Sequence, residues 1–281
     1  MALSFGQVGE KSLKRKVAIG RFSNETQYAK SVFYDKDNDP MGKQASDILS
    51  TRLAASEKFL LIERQDYDKI VSELNTSGGI SDNIGADYLI IGSITEYGRK
   101  TVGTQKVFSS SKEQVVEAGV SIRLVDVSTG MIVYSGEAKG DASAEDKRVM
   151  GLGSTADFDA TLSDKAISAA ISKLVENIIN KCMDSTWKAY LLSFDEGVYF
   201  VSGGASQGIT AGNEFTILER GKKVKNPQTG MMVELPGKNV GKIRIDQLLG
   251  STIADELSMA TLIEGVLDNE NLDKYYITEI K

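Results

Sequence analysis

The residues of this chain whose types could do chemistry are its acidic side chains and its glycine-rich turns. Asp35, Asp37 and Asp39 alternate along a short segment, and carboxylate oxygens are ligands that Ca²⁺ prefers. A calcium-binding loop also needs a glycine at its turn and a distal glutamate, and this segment has neither at the required spacing. The three aspartates therefore predict a solvated loop, and we expect no metal site.

Two glycine-rich stretches have the composition of a phosphate cradle. They are "SGGASQGITAG" (202–212) and "GLGS" (151–154). A phosphate loop ends in Gly-Lys-Ser/Thr and leads into the N-terminus of a helix, whereas neither stretch has that ending and the first lies between predicted strands. Both stretches predict turns, and we expect no bound cofactor.

The composition excludes several classes of active site. Among 281 residues there is no His and a single Cys, Cys182. The chain therefore cannot form an internal disulfide, a zinc site of His and Cys ligands, or a Ser-His or Cys-His nucleophile pair. We expect the protein not to be an enzyme, with a carboxylate-only enzyme as the remaining enzymatic alternative.

The charge and hydropathy of the chain limit its partners and its location. The formal net charge of −6 argues against nucleic acid, because phosphate contacts need concentrated Lys and Arg. The absence of an apolar run of about 18 residues predicts no transmembrane helix. Since "MALSFGQVGE" lacks the regions of a signal peptide, we expect either a cytoplasmic protein or one whose targeting segment is replaced at Met1. One basic cluster predicts a solvated lead-in to the first strand: Lys11, Lys14, Arg15 and Lys16.

The first part of the chain alternates predicted strands and helices. Apolar runs predict strands at 17–22, 58–63, 86–98, 120–127 and 131–138, and the last two are joined by the turn Ser128-Thr129-Gly130. Asp39 and Pro40 predict the start of a helix, as an N-cap followed by a proline at the first helical position. Three apolar stripes at helical spacing are present. The first is Ala45, Ile48, Leu49 and Leu53, and the second is Tyr67, Ile70, Val71 and Leu74. The third follows a capping box at Thr161 and Asp164 and consists of Ile167, Ile171, Leu174 and Ile178.

From Trp187 onward the chain consists of short predicted strands separated by turns. These strands are "YLLSF", "GVYFVSG", "NEFTILER", "GKIRIDQL" and "STIADEL", with "NPQTG" (226–230) as a hairpin turn and a last strand near the C-terminus. Their spacing predicts a small barrel or sandwich. The expected fold class is α/β, with a lead-in at 1–12, an α/β domain at 13–182 and a small all-β domain at 187–281.

Four blocks of the first domain resemble one known family. "VAIGRFSNET" (17–26), "LSTRLAASEKFLLIERQDYDKI" (49–70), "GADYLIIGSITEYG" (85–98) and "VSIRLVDVSTGMIVYSGEAKG" (120–140) resemble the curli production assembly/transport family of CsgG-like proteins. The segment "SQGITAGNEFTILERG" with "NPQTG" and "VGKIRIDQL" is similar to the end of flagellar assembly protein T.

The resemblance implies an outer-membrane lipoprotein that assembles into a ring on the periplasmic side. Each subunit of such a ring lends two β-hairpins to a shared barrel, and the ring passes unfolded protein cargo. The hairpins would be residues 98–120, after the strand "SITEY", and residues 136–162, after "MIVYS". The lipid-bearing Cys that the family has at its mature N-terminus has no counterpart in this sequence.

The alternation along 136–162 matches the implied second hairpin. Membrane strands need about 9 to 11 residues with an apolar side chain at every second position. The odd positions are mostly polar or charged, and the even positions are small or apolar. The predicted membrane-facing residues are Ala138, Ala142, Ala144, Met150, Leu152, Ala156, Phe158 and Leu162.

Alternatives to a membrane hairpin stay open from the sequence alone. Residues 136–162 also suit an amphipathic hairpin packed on a neighbouring subunit, and 141–150 also suit a helix. In the first hairpin, Lys100 and Lys106 have the same parity as Val102 and Phe108, which would turn a lysine toward lipid. The loop after the first strand (23–39) corresponds to the family's constriction, where Phe33 and Tyr34 would line a narrow ring.

Two hypotheses for function follow from the family resemblance and from the alternation along residues 136–162. In the first, the chain is a non-enzymatic, outer-membrane-associated subunit that forms a homo-oligomeric ring or secretion channel for an extracellular or envelope protein cargo. In the second, the same fold serves as a ring scaffold for flagellar or envelope assembly and forms no pore.

Overall fold

The computed structural model describes residues 12–27, 39–64, 66, 70, 85–106, 109–149, 161–228, 230, 232–253 and 255–280. The chain divides into two compact units. The N-terminal unit comprises residues 16–184, and the C-terminal unit comprises residues 185–281 together with the segment that ends at Arg15. Each unit has its own cluster of buried apolar side chains.

The N-terminal unit is built on a five-stranded sheet. Its strands are β1 (Arg15–Asn24), β2 (Phe59–Glu63), β3 (Tyr88–Lys106), β4 (Ser109–Asp126) and β5 (Ile132–Val149), in the spatial order β2-β1-β3-β4-β5. β1 pairs with β3 in parallel, whereas β3, β4 and β5 form an antiparallel meander. All five strands confirm sequence predictions, and β3, β4 and β5 continue 8 to 11 residues past 98, 120 and 138, into the ranges 98–120 and 136–162 where the family resemblance implies hairpins.

Two helices pack on this sheet, α1 (Pro40–Ala55) and α2 (Thr161–Asp184). The predicted cap of α1 is confirmed, because the Asp39 carboxylate accepts the Gly42 N–H at 2.9 Å and Pro40 follows it. The predicted stripes of both helices are buried, since the i, i+3, i+4 spacing puts those side chains on one face. Of the predicted helix around Tyr67 and Leu74, only Ile70 lies within the described residues.

The C-terminal unit is all β apart from two short 3₁₀ turns. Its larger sheet has the order β6-β14-β9-β12-β13-β8-β7 and is close to a closed barrel. The strands of that sheet are β6 (Lys188–Ala189), β7 (Leu191–Asp195), β8 (Val198–Ser202), β9 (Glu214–Glu219), β12 (Lys238–Leu249), β13 (Leu257–Gly265) and β14 (Tyr275–Glu279). β10 (Lys223–Lys225) and β11 (Met232–Glu234) form a separate two-stranded hairpin around the predicted turn "NPQTG", which is confirmed.

One predicted strand of this unit is wrong. "STIADEL" (251–257) was expected to be extended, but the strand β13 begins at its last residue, Leu257. The carboxylate of Asp255 accepts hydrogen bonds from the backbone and the hydroxyl of Thr252, both at 2.6 Å. These local side-chain hydrogen bonds favour a turn over a strand.

The glycine-rich loop at 202–212 is a turn, as predicted. The carboxylate of Glu256 accepts hydrogen bonds from the Ser206 backbone N–H at 3.0 Å and from the Ser206 hydroxyl at 2.8 Å. An acidic side chain of the chain itself therefore occupies the donors that an anion would use. None of the helices in the described ranges is long and apolar enough to cross a membrane.

Candidate functional site

The feature of the N-terminal unit that extends beyond the end of β1 is the far half of β3, β4 and β5, one face of which still contributes Val116 and Ala118 to the buried core. β1 accompanies β3 only as far as the pair Asn24↔Ile94. Beyond that point the meander continues as three strands, paired without interruption through Lys106↔Ser109 and Ser109↔Val149. We call residues 95–106, 109–119 and 137–149 the ribbon.

One face of the ribbon, the helix-side face, lies against α2. Among the residues whose side chains are described, it has three cross-strand rows: Tyr97, Ala118 and Gly140; Arg99, Val116 and Ala142; Thr101, Gln114 and Ala144. The Tyr97 and Ser163 hydroxyls are 2.5 Å apart. A Cβ at Gly140 would overlap the backbone of Ala166 and Ala170, so α2 lies directly on β5 at this glycine.

The predicted membrane-facing residues divide between covered and undescribed positions. Ala138, Ala142 and Ala144 lie on β5, half-buried against the core cluster that includes α2. In this structure these three alanines face the core and not lipid. Their small side chains leave room for α2 to approach the strand. The helix alternative is also wrong for 141–149, which form a strand.

Leu162 is a second correction. It was expected in the returning arm of the hairpin, but it lies at the start of α2 and is fully buried. The helical stripe that begins at Leu162 continues through Ala166 and Ile167, so its apolar character follows the period of the helix and not that of a strand. Six further predicted site residues lie outside the described residues: Met150, Leu152, Ala156, Phe158, Phe33 and Tyr34.

The opposite face of the ribbon, the open face, carries charged residues. Its rows are Glu96, Gly119 and Lys139; Gly98, Glu117 and Asp141; Lys100, Val115 and Ser143. Glu96 and Lys139 form an ion pair at 2.5 Å, and Lys100 and Glu117 form another at 2.9 Å. The hydrogen bond from Lys139 to Glu96 raises the pKa of the lysine above its ordinary value, and the charges of Glu96, Glu137 and Glu117 add to the shift.

The structure resolves the parity of Lys100, which the sequence left ambiguous. β3 has an irregular register between Ile94 and Glu96, so the side chains change face at Thr95. Ile94 is buried in the core, whereas after the bulge the odd residues, such as Tyr97, take the covered side. Lys100 therefore shares the charged open face with Glu117. The bulge precedes both Lys100 and Val102, so these two residues still share a face, and that face is the charged open face.

Both outer edges of the ribbon are without a partner strand within the described part of the chain. β5 pairs only with β4, and β3 beyond Ile94 pairs only with β4. The ammonium of Lys173 on α2 donates to the carbonyl oxygen of Lys139 at 2.6 Å. A cation therefore stands beside the backbone of the edge strand, and lysines at sheet edges commonly discourage uncontrolled pairing.

The described residues outside the ribbon offer no competing constellation. A groove of about 630 Å³ lies between α1 and α2, lined in part by Ile48, Arg52 and Ser168, and the Arg52 guanidinium donates to the Ser168 hydroxyl at 2.6 Å. The groove has one cation and no nucleophile–base pair. No group of three or more His, Cys, Asp or Glu that could hold a metal ion occurs among the residues searched, which are those of the described ranges.

Comparison with known families identifies the same family that the four sequence blocks of the N-terminal unit resemble. The family model described as "Curli production assembly/transport component CsgG" matches residues 1–213. The chain belongs to the CsgG family. A putative lipoprotein of Neisseria meningitidis serogroup B is 31% identical over 175 residues, which are 61% of this chain and 78% of that protein. CsgG family membership fits an envelope-associated, non-enzymatic subunit.

Two solved structures resemble this CsgG family chain at low TM-scores. The PelC dodecamer from Paraburkholderia phytofirmans has a TM-score of 0.29 at 20% identity, over 58% of this chain and 87% of that one. The lipoprotein GNA1162 from Neisseria meningitidis has a TM-score of 0.29 at 17% identity, over 61% of this chain and 99% of that one. Similarities of this size say nothing about assembly or function.

Proposed function

We propose that this chain is a non-enzymatic, envelope-associated subunit that oligomerises into a ring, and that the ring is the wall of a secretion channel. The observation that carries the proposal is the ribbon, whose two outer edges have no partner strand within the described residues. Membership of the CsgG family and the relative described as a putative lipoprotein support an envelope setting. We assign the ring to the outer membrane, on its periplasmic side, with an exported or envelope protein as cargo.

The edges of the ribbon support a ring more than a dimer. An exposed strand edge is a template for another chain, and the ribbon has two different edges, one on β3 and one on β5. Pairing the β3 edge of one copy with the β5 edge of the next is a head-to-tail contact, which closes into a ring when the rotation allows. Each copy would add at least the three described strands to a continuous antiparallel sheet.

The charged face supports an aqueous interior for that sheet. Among the side chains that the structure describes, the open face carries five carboxylates and two ammonium groups: Glu96, Glu113, Glu117, Glu137 and Asp141 against Lys100 and Lys139. Channel-forming sheets turn a polar face to the lumen and a small or apolar face outward. The helix-side face, with Val116, Ala118, Ala142 and Ala144 but also with Arg99 and Gln114, would then be the outer face, and α2 would have to leave it on insertion. Phe33 and Tyr34 remain our proposed lining of a constriction.

A ring scaffold without a pore is the second candidate, and one observation favours it. α2 covers the helix-side face so closely that Gly140 has no room for a Cβ. If that contact persists in the assembled ring, the ribbon joins subunits and does not enter lipid. The C-terminal unit, which we propose to be similar to the end of flagellar assembly protein T, would then serve as an interaction collar in an envelope or flagellar assembly.

Light scattering on the detergent-extracted protein, resolved into protein mass and bound-detergent mass, separates these candidates. A channel gives an oligomer that carries a detergent belt, and a scaffold gives an oligomer without one. A shortened variant tests whether the ribbon makes the ring. Residues 100–115 are replaced by Asn-Gly, which joins the paired residues Arg99 and Val116 by a two-residue hairpin turn.

We expect the shortened variant to keep the fold of the N-terminal unit and to be monomeric. The matched control shortens the hairpin of the C-terminal unit in the same way, by replacing residues 223–234 with Asn-Gly, since Leu235 N–H already bonds to Lys222 C=O at 3.0 Å. The control should assemble like the unaltered chain. An oligomer that survives the loss of 100–115, or a wild-type chain that is monomeric in detergent, contradicts the proposal.

A further inference from the structure

The hairpin β10–β11 of the C-terminal unit exposes apolar side chains to solvent. It forms a sheet of its own and pairs through Lys223↔Glu234, Val224↔Val233 and Lys225↔Met232. Its apolar side chains are 40% to 60% exposed: Val224, Met232, Val233 and Leu235. An isolated two-stranded hairpin is marginally stable in water, and clustered apolar groups at a surface mark an interaction site.

The same hairpin concentrates positive charge in an acidic protein. Residues 220–238 hold five basic side chains, Arg220, Lys222, Lys223, Lys225 and Lys238, against one acidic side chain, Glu234. This segment therefore has a net charge of +4 (five minus one), whereas the whole chain has −6. All five basic residues are exposed. The charge is thus available to an anionic partner.

The arrangement of the side chains distinguishes between kinds of anionic partner. Val224 and Val233 stand on one face of the hairpin, and Met232 stands on the other face, opposite Lys225. Apolar groups on both faces of an exposed hairpin suit a fluid medium that surrounds them, whereas a folded protein partner would need them on one face or in one groove. Lysines beside apolar groups suit lipid headgroups and the interfacial region beneath them.

We propose that the β10–β11 hairpin docks on an anionic phospholipid surface. Lys222, Lys223 and Lys225 contact the phosphates, and Val224, Met232 and Val233 enter the headgroup and acyl boundary. The contact is separate from the ribbon, so it neither requires nor predicts a ring.

Vesicle co-sedimentation of the full chain tests the proposal. The vesicles are phosphatidylcholine alone or phosphatidylcholine with phosphatidylglycerol, and the variants are Lys223→Gln/Lys225→Gln and Val224→Ser/Met232→Ser. Each lysine near an anionic membrane contributes about fivefold in partitioning, so the first variant, which loses two lysines, should bind about 25-fold more weakly to the anionic vesicles. The second should lose about tenfold through its apolar groups. The control Lys165→Gln/Lys181→Gln removes two exposed lysines of α2 and should bind like the unaltered chain.

The pattern across variants decides the outcome. The proposal predicts weaker binding in both hairpin variants, stronger binding to phosphatidylglycerol than to phosphatidylcholine alone, and a decrease with added salt. Equal binding by the hairpin variants and the control overturns it, whether or not the ribbon also inserts. A loss confined to the lysine variant overturns it as well, because a purely electrostatic site would serve any polyanion, such as an acidic protein.

Discussion

The guanidinium of Arg15 and the carboxylate of Glu279 lie 2.9 Å apart, across 264 positions of the chain. Arg15 is 3% exposed, and it also donates to the carbonyl oxygens of Leu13 and Ser185, both at 2.8 Å. Glu279 in turn accepts the backbone N–H of Trp187 at 3.0 Å. The last strand, β14, therefore fastens both places where the chain passes into or out of the C-terminal unit.

Replacing Glu279 should destabilise the C-terminal unit. Glu279→Gln keeps an acceptor but removes the charge that compensates a buried guanidinium, so we expect a loss of about 2 kcal/mol in the free energy of unfolding by urea. Glu264→Gln is the control, because its ion pair with Lys242 is solvent-exposed and should contribute less than about 1 kcal/mol. Equal effects of the two substitutions would show that the buried position of Arg15 does not matter.

The contact between α2 and β5 can be tested at one glycine. Gly140→Ala places a Cβ into the backbone of α2, which cannot move without disturbing its buried stripe, so we expect a loss of about 1 to 3 kcal/mol in thermal or urea unfolding. Gly98→Ala on β3, in the same sheet, is the matched control, since no atom lies within 4 Å of the added Cβ there. If α2 is already displaced in solution, Gly140→Ala will behave like Gly98→Ala.

Lys173 should restrain association through the edge of β5. Because its ammonium bonds to the Lys139 carbonyl oxygen, Lys173→Met should expose that edge and raise the oligomeric fraction at a given protein concentration. Analytical ultracentrifugation measures this fraction. Lys165→Met on the same helix is the control, and an unchanged fraction in both variants would remove Lys173 from any role at the edge.

The turns of the C-terminal unit should weaken in acid. The hydrogen bond from Lys274 lowers the pKa of Asp268, and the hydroxyl and backbone of Thr252 lower the pKa of Asp255. A carboxyl whose pKa is lowered by folding contributes stability above its ordinary pKa near 3.8, and that contribution is lost as the pH falls through the lowered value. Unfolding followed from pH 6 to pH 2 should therefore show a loss of stability below about pH 4, and Asp268→Asn should reduce its pH dependence.

Sequence reasoning located most elements because their signals are local. The cap at Asp39 and Pro40, the stripes of α1 and α2, and the turn "NPQTG" each depend on residues within a few positions of one another. The four sequence blocks were likewise enough for the family resemblance. The error at "STIADEL" has the same origin, since its apolar residues suggested a strand while Asp255 and Thr252 formed a turn.

The sequence by itself determined the strand and helix content, the alternation along β5 and the absence of His and disulfide chemistry. Only the tertiary structure decided what covers the small residues of β5, because alternation reads the same whether the facing medium is lipid, a helix or another subunit. The bulge at Thr95, which puts Lys100 beside Glu117, and the pairing of Arg15 with Glu279 were also decided there. Each depends on strand register or on contacts between distant segments, and the pattern of residues along the sequence specifies neither.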